Sequence, residues 1–135
     1  MTSSTLPTVK TTARLALGFI WIYQGLVPKV LSAVPLEYEI VARSGVFLIS
    51  PAVTMPWLGM LEILLGLWLV CGYRERLACA VTTALLFGMT VAVVILEPAL
   101  LIGPFGGIAK NVALFALAWI VWRLAAPEPS PCATS

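Results

Sequence analysis

Long apolar blocks separated by short polar ones dominate the chain. Residues 1–12 are polar and predict a short flexible tail. From Ala13 the chain turns apolar, and residues 14–34 supply the roughly 20 positions that cross about 30 Å of hydrocarbon as a helix. A cleaved leader peptide fits this block poorly, because Gln24 and Lys29 interrupt it and no Ala-x-Ala site follows. Residues 35–54 form a connector with Glu37, Glu39 and Arg43 in front and an apolar patch, Val46 to Ile49, behind, in which a short helix can lie in the membrane interface. Residues 55–73 contain one charge, Glu62, and predict a second long helix. A polar hairpin, Arg74-Glu75-Arg76, separates it from a third over 77–97, free of charge until Glu97, after which Pro98 turns the chain out of helical geometry. Gly103, Pro104, Gly106 and Gly107 break any continuation. A fourth helix is expected over 107–124, and the proline-rich residues 125–135 read as a disordered tail.

Composition turns this pattern into a membrane protein. Of 135 residues 61% are hydrophobic and 10% charged, against roughly 25% charged in soluble domains. Mean hydropathy is +1.03. A small soluble chain cannot bury that much apolar surface. The expected fold is therefore all-α, a four-transmembrane-helix antiparallel bundle formed by residues 13–124 as one domain. The net charge of +2 is small and scattered, so no nucleic-acid partner is implied. Histidine is absent and the three cysteines, Cys71, Cys79 and Cys132, form no Cys-x-x-Cys pair, which argues against a metal or thiol-redox centre. Cys71 and Cys79 flank the hairpin and read as buried structural thiols. Trp57 at one interface and Tyr73, Trp119 and Trp122 near the other fit aromatic belts, whereas Trp21, Tyr23 and Trp68 lie deeper and read as packing.

Short connections make neighbouring helices antiparallel, so both termini share one side. That side carries Lys10, Arg14, Arg74, Arg76 and Arg123, and the other Lys29, Arg43 and Lys110. The excess places both termini in the cytoplasm. With this topology the ionisable residues within or at the edge of the spans fall at one level, toward the extracytoplasmic side: Lys29, Glu62, Glu97 and Lys110, one per helix. Such charges usually face the bundle interior and pair. Gly18, Gly25 and Lys29 are seven and four apart, and Gly59, Glu62 and Gly66 three and four apart, which puts each charge on a small-residue stripe where backbones can approach. Gln24 and Asn111 add amide groups beside them. Pro28 removes a helical hydrogen bond and frees a carbonyl near Gln24. Two readings of the set stand together at this point, a ligand pocket or charges that only fix helix register.

The stretches ARLALGFIWIYQGLVPKVL, GMLEILLGLWLVCGYRER and GPFGGIAKNVALFALA together resemble the DoxX-like family of small four-helix membrane proteins, from about Ala13 to Leu124. The matching positions are Gly25, Lys29, Glu62, Gly66, Gly72, Arg76, Lys110 and Asn111. The resemblance implies a bacterial integral membrane protein, with relatives associated with quinone-linked sulfur oxidation or with membrane redox and thiol-stress partners.

The leading expectation is a non-enzymatic accessory or small-molecule-binding subunit with a polar pocket at Gln24, Lys29, Glu62, Glu97, Lys110 and Asn111, in contact with the bilayer and with a redox or other membrane protein partner. No cofactor is specified, although a quinone carbonyl suits the lysines as an acceptor. A proton-coupled transporter is the alternative, with Glu62 as the titrating group, and four helices would need to form a homo-oligomer to make a gated pore. A membrane enzyme using a Glu-Lys acid-base pair has the groups but no distinguishing motif. No catalytic or metal-binding residue is assigned.

Overall fold

The computed structural model describes residues 5–32, 35–45, 50–96, 98 and 107–125. Glu97, the apolar patch Val46 to Ile49, the glycine-proline loop before Gly107 and the tail beyond Ala125 lie outside them. The described residues form five α-helices and one π-helical segment: α1 Thr5–Gln24, the π segment Gly25–Leu31, α2 Pro35–Ser44, α3 Pro51–Cys71, α4 Glu75–Leu96 and α5 Gly107–Leu124.

The first helix begins at Thr5, so the segment expected to be a flexible tail is helical over its described part. The physical reason lies 61 and 65 residues away in sequence: Arg14 Nη1 donates to Glu75 Oε1 at 2.5 Å and Lys10 Nζ to Glu75 Oε2 at 2.9 Å. Lys10 and Arg14 are one turn apart and share a face, so a single carboxylate ties down two turns of helix. At the other end Pro28 has no N–H to give and its ring crowds the carbonyl four residues back, so the helix widens from Gly25 onward. The segment closes with the Ser32 N–H bonded to the Val27 carbonyl at 2.8 Å, five residues back.

The connector contains α2, whose exposed Glu39 and Arg43 pair at 3.6 Å one turn apart. α3 starts four residues before the expected position because Ser50 adopts an extended conformation and Pro51 takes the first helical turn, where a missing N–H does no harm. The Thr54 hydroxyl returns to the Ser50 carbonyl at 3.1 Å. α3 ends at Cys71 because Gly72 adopts φ +72°, and its N–H closes on the Leu69 and Trp68 carbonyls at 3.2 Å. Trp68 Nε1 then donates to the Tyr73 carbonyl at 2.7 Å, bracing the turn. α4 follows at once, with Glu75 in its first turn where the helix dipole favours an acid.

α1 and the π segment pack along α3, α1 also packs on α5, α4 on α5, and α2 touches α3 and α4. The core draws on all four long helices, with Leu17, Leu69, Leu114 and Val121 almost fully buried beside Trp21, Ala78 and Cys79. Cys79 and Cys71 are free thiols, but Cys71 is exposed rather than buried, because it follows the last core turn of α3.

Around this core the surface is apolar. Phe19, Leu64, Phe87, Ile95 and Trp119 are all more than half exposed. α3 and α4 are long and apolar enough to cross a membrane, and only 17% of the most apolar stretch of α4 is buried inside the protein. Apolar helices that face outward rather than into a core are expected where the solvent is lipid.

Candidate functional site

α1 and α3 are drawn together by reciprocal glycine contacts. A Cβ added at Gly18 would lie 2.9 Å from the Gly66 carbonyl, and one at Gly66 would lie 2.6 Å from the Gly18 carbonyl. One further step along the interface, a Cβ at Gly59 would lie 2.7 Å from the Gly25 carbonyl and 3.0 Å from the Lys29 Cβ. Larger side chains at these four positions would hold the backbones apart.

Within that contact Lys29 Nζ meets Glu62 Oε2 at 3.0 Å, each side chain 6% exposed. Lys29 therefore turns inward and does not snorkel toward headgroups. Taking two ions from water costs several kcal/mol each, and mutual attraction offsets this only when the geometry is good and other polar atoms help. The widened backbone of Gly25–Leu31 carries Lys29 to this position, one turn after Gly25. π-helical turns of this kind occur often at functional sites.

Gln24 and Lys110 meet elsewhere. Together with Phe19, Ile20 and Tyr23 they line an open depression of about 370 Å³ at the α1–α5 junction. The Phe19 and Tyr23 rings lie 6.3 Å apart, tilted by 34°. Tyr23 is 53% exposed, so it presents its ring outward and does not pack in the core as its depth in the helix suggested. An ammonium, an amide and an aromatic face in one concavity can hold a flat, carbonyl-bearing apolar molecule: the carbonyl accepts hydrogen bonds and the ring lies on Tyr23.

Asn111 joins neither group. Its Nδ2 donates to Thr90 Oγ1 at 2.8 Å, and that hydroxyl donates to the Leu86 carbonyl at 2.7 Å, linking α5 to α4. Glu97, the remaining member of the expected cluster, lies outside the described residues. The single polar pocket expected from the sequence is thus resolved into an ion pair at α1–α3, a cationic depression at α1–α5 and an interhelical hydrogen bond at α4–α5. The helix faces separate them, since Gln24 and Lys29 stand on opposite sides of the α-to-π transition.

Residues that pattern reading passed over are Glu75, Thr90 and the pair Lys10 and Arg14. The one available signal for Glu75 was the four-residue spacing of Lys10 and Arg14, which predicts a shared face but not its partner. Among the described residues no three His, Cys, Asp or Glu side chains come together to hold a metal ion.

A sequence model described as the DoxX-like family matches residues 18–119, which covers most of the chain and includes Gln24, Lys29, Glu62, Glu75, Thr90, Lys110 and Asn111 but not Lys10 and Arg14. No curated protein and no solved structure matches the chain at a significant level.

Proposed function

Because the chain belongs to the DoxX-like family, whose members are membrane-associated, we propose that it is a non-enzymatic accessory subunit that binds a small quinone-like molecule in a bacterial inner membrane. In this reading α1 with its π segment, α3, α4 and α5 span the bilayer, both termini lie in the cytoplasm, and Lys29, Glu62, Gln24 and Lys110 stand toward the extracytoplasmic face. The observation that carries the reading is the convergence of Gln24, Lys110 and the exposed Tyr23 ring on one depression immediately before the α-to-π transition.

The residues divide the work. Lys110 Nζ and the Gln24 amide donate to the carbonyl oxygens of the ring, and Tyr23 and Phe19 give it an apolar seat. An isoprenoid or alkyl tail leaves over the exposed apolar surface of α1 into lipid. The Lys29–Glu62 pair acts one turn further on: it anchors the widened backbone to α3 and so fixes where Gln24 points. A bound quinone held this way remains available to a redox partner in the same membrane, which performs the electron chemistry.

The test is equilibrium binding of a short-chain ubiquinone analogue to the full-length protein in mild detergent. Saturable binding is expected, weakened about ten-fold or more in Lys110→Ala and Gln24→Ala as hydrogen bonds to the ligand are lost, each of the order of 1.5 kcal/mol, with unchanged melting temperatures. Equal binding by wild type and both variants, or none by wild type, overturns the reading. Proton flux in proteoliposomes that disappears in Glu62→Gln would replace it with a carrier.

A further inference from the structure

Between α4 and α5, at the end of the molecule that carries Arg76 and Arg123, an open apolar groove of about 680 Å³ follows the outer surface. Small side chains on α4, Ala80, Thr83 and Ala84, and the rings of Phe87, Trp119 and Trp122 line it. The three- and four-residue spacings keep each set on one helix face, and from Ala80 to Phe87 the groove rises about 10 Å. Phe87 and Trp119 are 63% and 62% exposed, so nothing in the protein covers it among the described residues.

The rim of the groove is not apolar. The Arg76 guanidinium lies 5.9 Å from the centre of the Trp122 ring and that of Arg123 lies 5.7 Å from the Trp119 ring. Arg76 is further fixed by a 3.1 Å hydrogen bond from Nη2 to the Ala125 carbonyl, and its buried Nε has no acceptor among the described residues. Lys10, Arg14 and Arg74 lie on the same end, where the described acid, Glu75, is already engaged by Lys10 and Arg14. A hydrophobic slot by itself accepts any alkyl chain. Two arginines held on its aromatic rim, in a region of excess positive charge, select a chain that carries an anionic head.

We propose that the α4–α5 groove is a binding site for an anionic phospholipid, with an acyl chain along Ala80, Thr83 and Ala84 and the phosphate against Arg123 and Arg76. The site shares membrane embedding with the functional reading above but is independent of the Gln24–Lys110 depression. Its chemistry is that of interfacial arginines: stacking on tryptophan fixes the guanidinium plane at headgroup depth and leaves N–H groups for the phosphate oxygens.

Native mass spectrometry of the full-length protein in detergent, titrated with phosphatidylglycerol or phosphatidylcholine, tests this. Phosphatidylglycerol is expected to bind roughly ten-fold more tightly, since each basic residue near the headgroups strengthens anionic-lipid binding about five-fold. Arg123→Gln loses about five-fold of that preference, and Arg123→Lys, which keeps the charge but not the stacked fork, falls between it and wild type. Ala84→Trp fills the slot and removes the tight lipid without lowering the melting temperature. In vesicles, acyl-brominated phosphatidylglycerol quenches wild-type tryptophan fluorescence more than it quenches a Trp119→Phe/Trp122→Phe variant. Equal affinity for the two lipids, full retention by Ala84→Trp, or a wild-type preference in Arg123→Gln overturns the proposal. So does a dimer that Ala84→Trp dissociates, which would make the groove an interface between copies.

Discussion

Two acidic residues anchor the molecule at different levels, one mid-helix and one at a helix start, and they do so under different physics. Glu62 faces one lysine across a glycine-packed interface with both side chains 6% exposed. Glu75 faces Lys10 and Arg14 at a helix start, with the two cations 25% and 17% exposed. The first pair is almost fully buried, inside a contact where the two backbones nearly touch. The second retains access to water or headgroups, and its two cations share the task. Burial of the cations is what separates the two acids.

Leaving one member of the dry pair behind should have the largest effect. Lys29→Met is expected to destabilise the protein in detergent by about 3–5 kcal/mol, and Lys29→Met/Glu62→Met to recover most of it, because two well-packed apolar groups replace an uncompensated charge. Equal loss in the single and double variants would break the contrast. Gly59→Ala comes next, at about 1–3 kcal/mol, since the new methyl overlaps the Gly25 carbonyl and the Lys29 Cβ and must push α1 from α3. Glu75→Gln should lose less, about 1 kcal/mol, and less still in 1 M salt, as expected of a charge network whose cations keep partial contact with solvent. A loss matching that of Lys29→Met would show that the Glu75 end is also dry. Smallest, Thr90→Val removes the acceptor of Asn111 and should cost about 0.6 kcal/mol, the average for interhelical hydrogen bonds in membranes. Chemical or thermal unfolding in one detergent reads all four.

The same contrast explains what was legible in the sequence. The Lys29–Glu62 contact is legible because its signal is local: Gly25 four residues before Lys29, and Gly59 and Gly66 on either side of Glu62, mark the faces that must meet. Helix positions were equally readable from the apolar blocks, with ends shifted by caps at Ser50 and Gly72. The start of α1 at Thr5 was not, because the residue that orders it is Glu75, more than sixty positions away in a stretch that reads as a simple polar turn. Asn111 was grouped with Gln24 and Lys110 but bonds Thr90 instead, for a related reason. Equal depth along a helix says nothing of azimuth, and depth was all that the sequence supplied for α5. Pro28 announced a lost hydrogen bond but not how the helix would absorb it.

That absorption has a consequence for how this chain can change by insertion and deletion. A π turn holds a residue more than the α turn it replaces, so the Gly25–Leu31 segment behaves as a stored extra residue in an otherwise regular helix. Removing one residue between Gly25 and Lys29 would let the segment relax to α geometry while the residues beyond it keep nearly their direction around the axis, because the stored residue is what the widening absorbs. A deletion in the regular part of α1, between Gly18 and Gly25, has no such reserve: it would turn Lys29 by about 100° from the face on which Gly18 meets α3, and Glu62 would lose its lysine. The segment is thus a buffer in the helix: one residue can be lost from it, whereas the length between Gly18 and Gly25 is fixed.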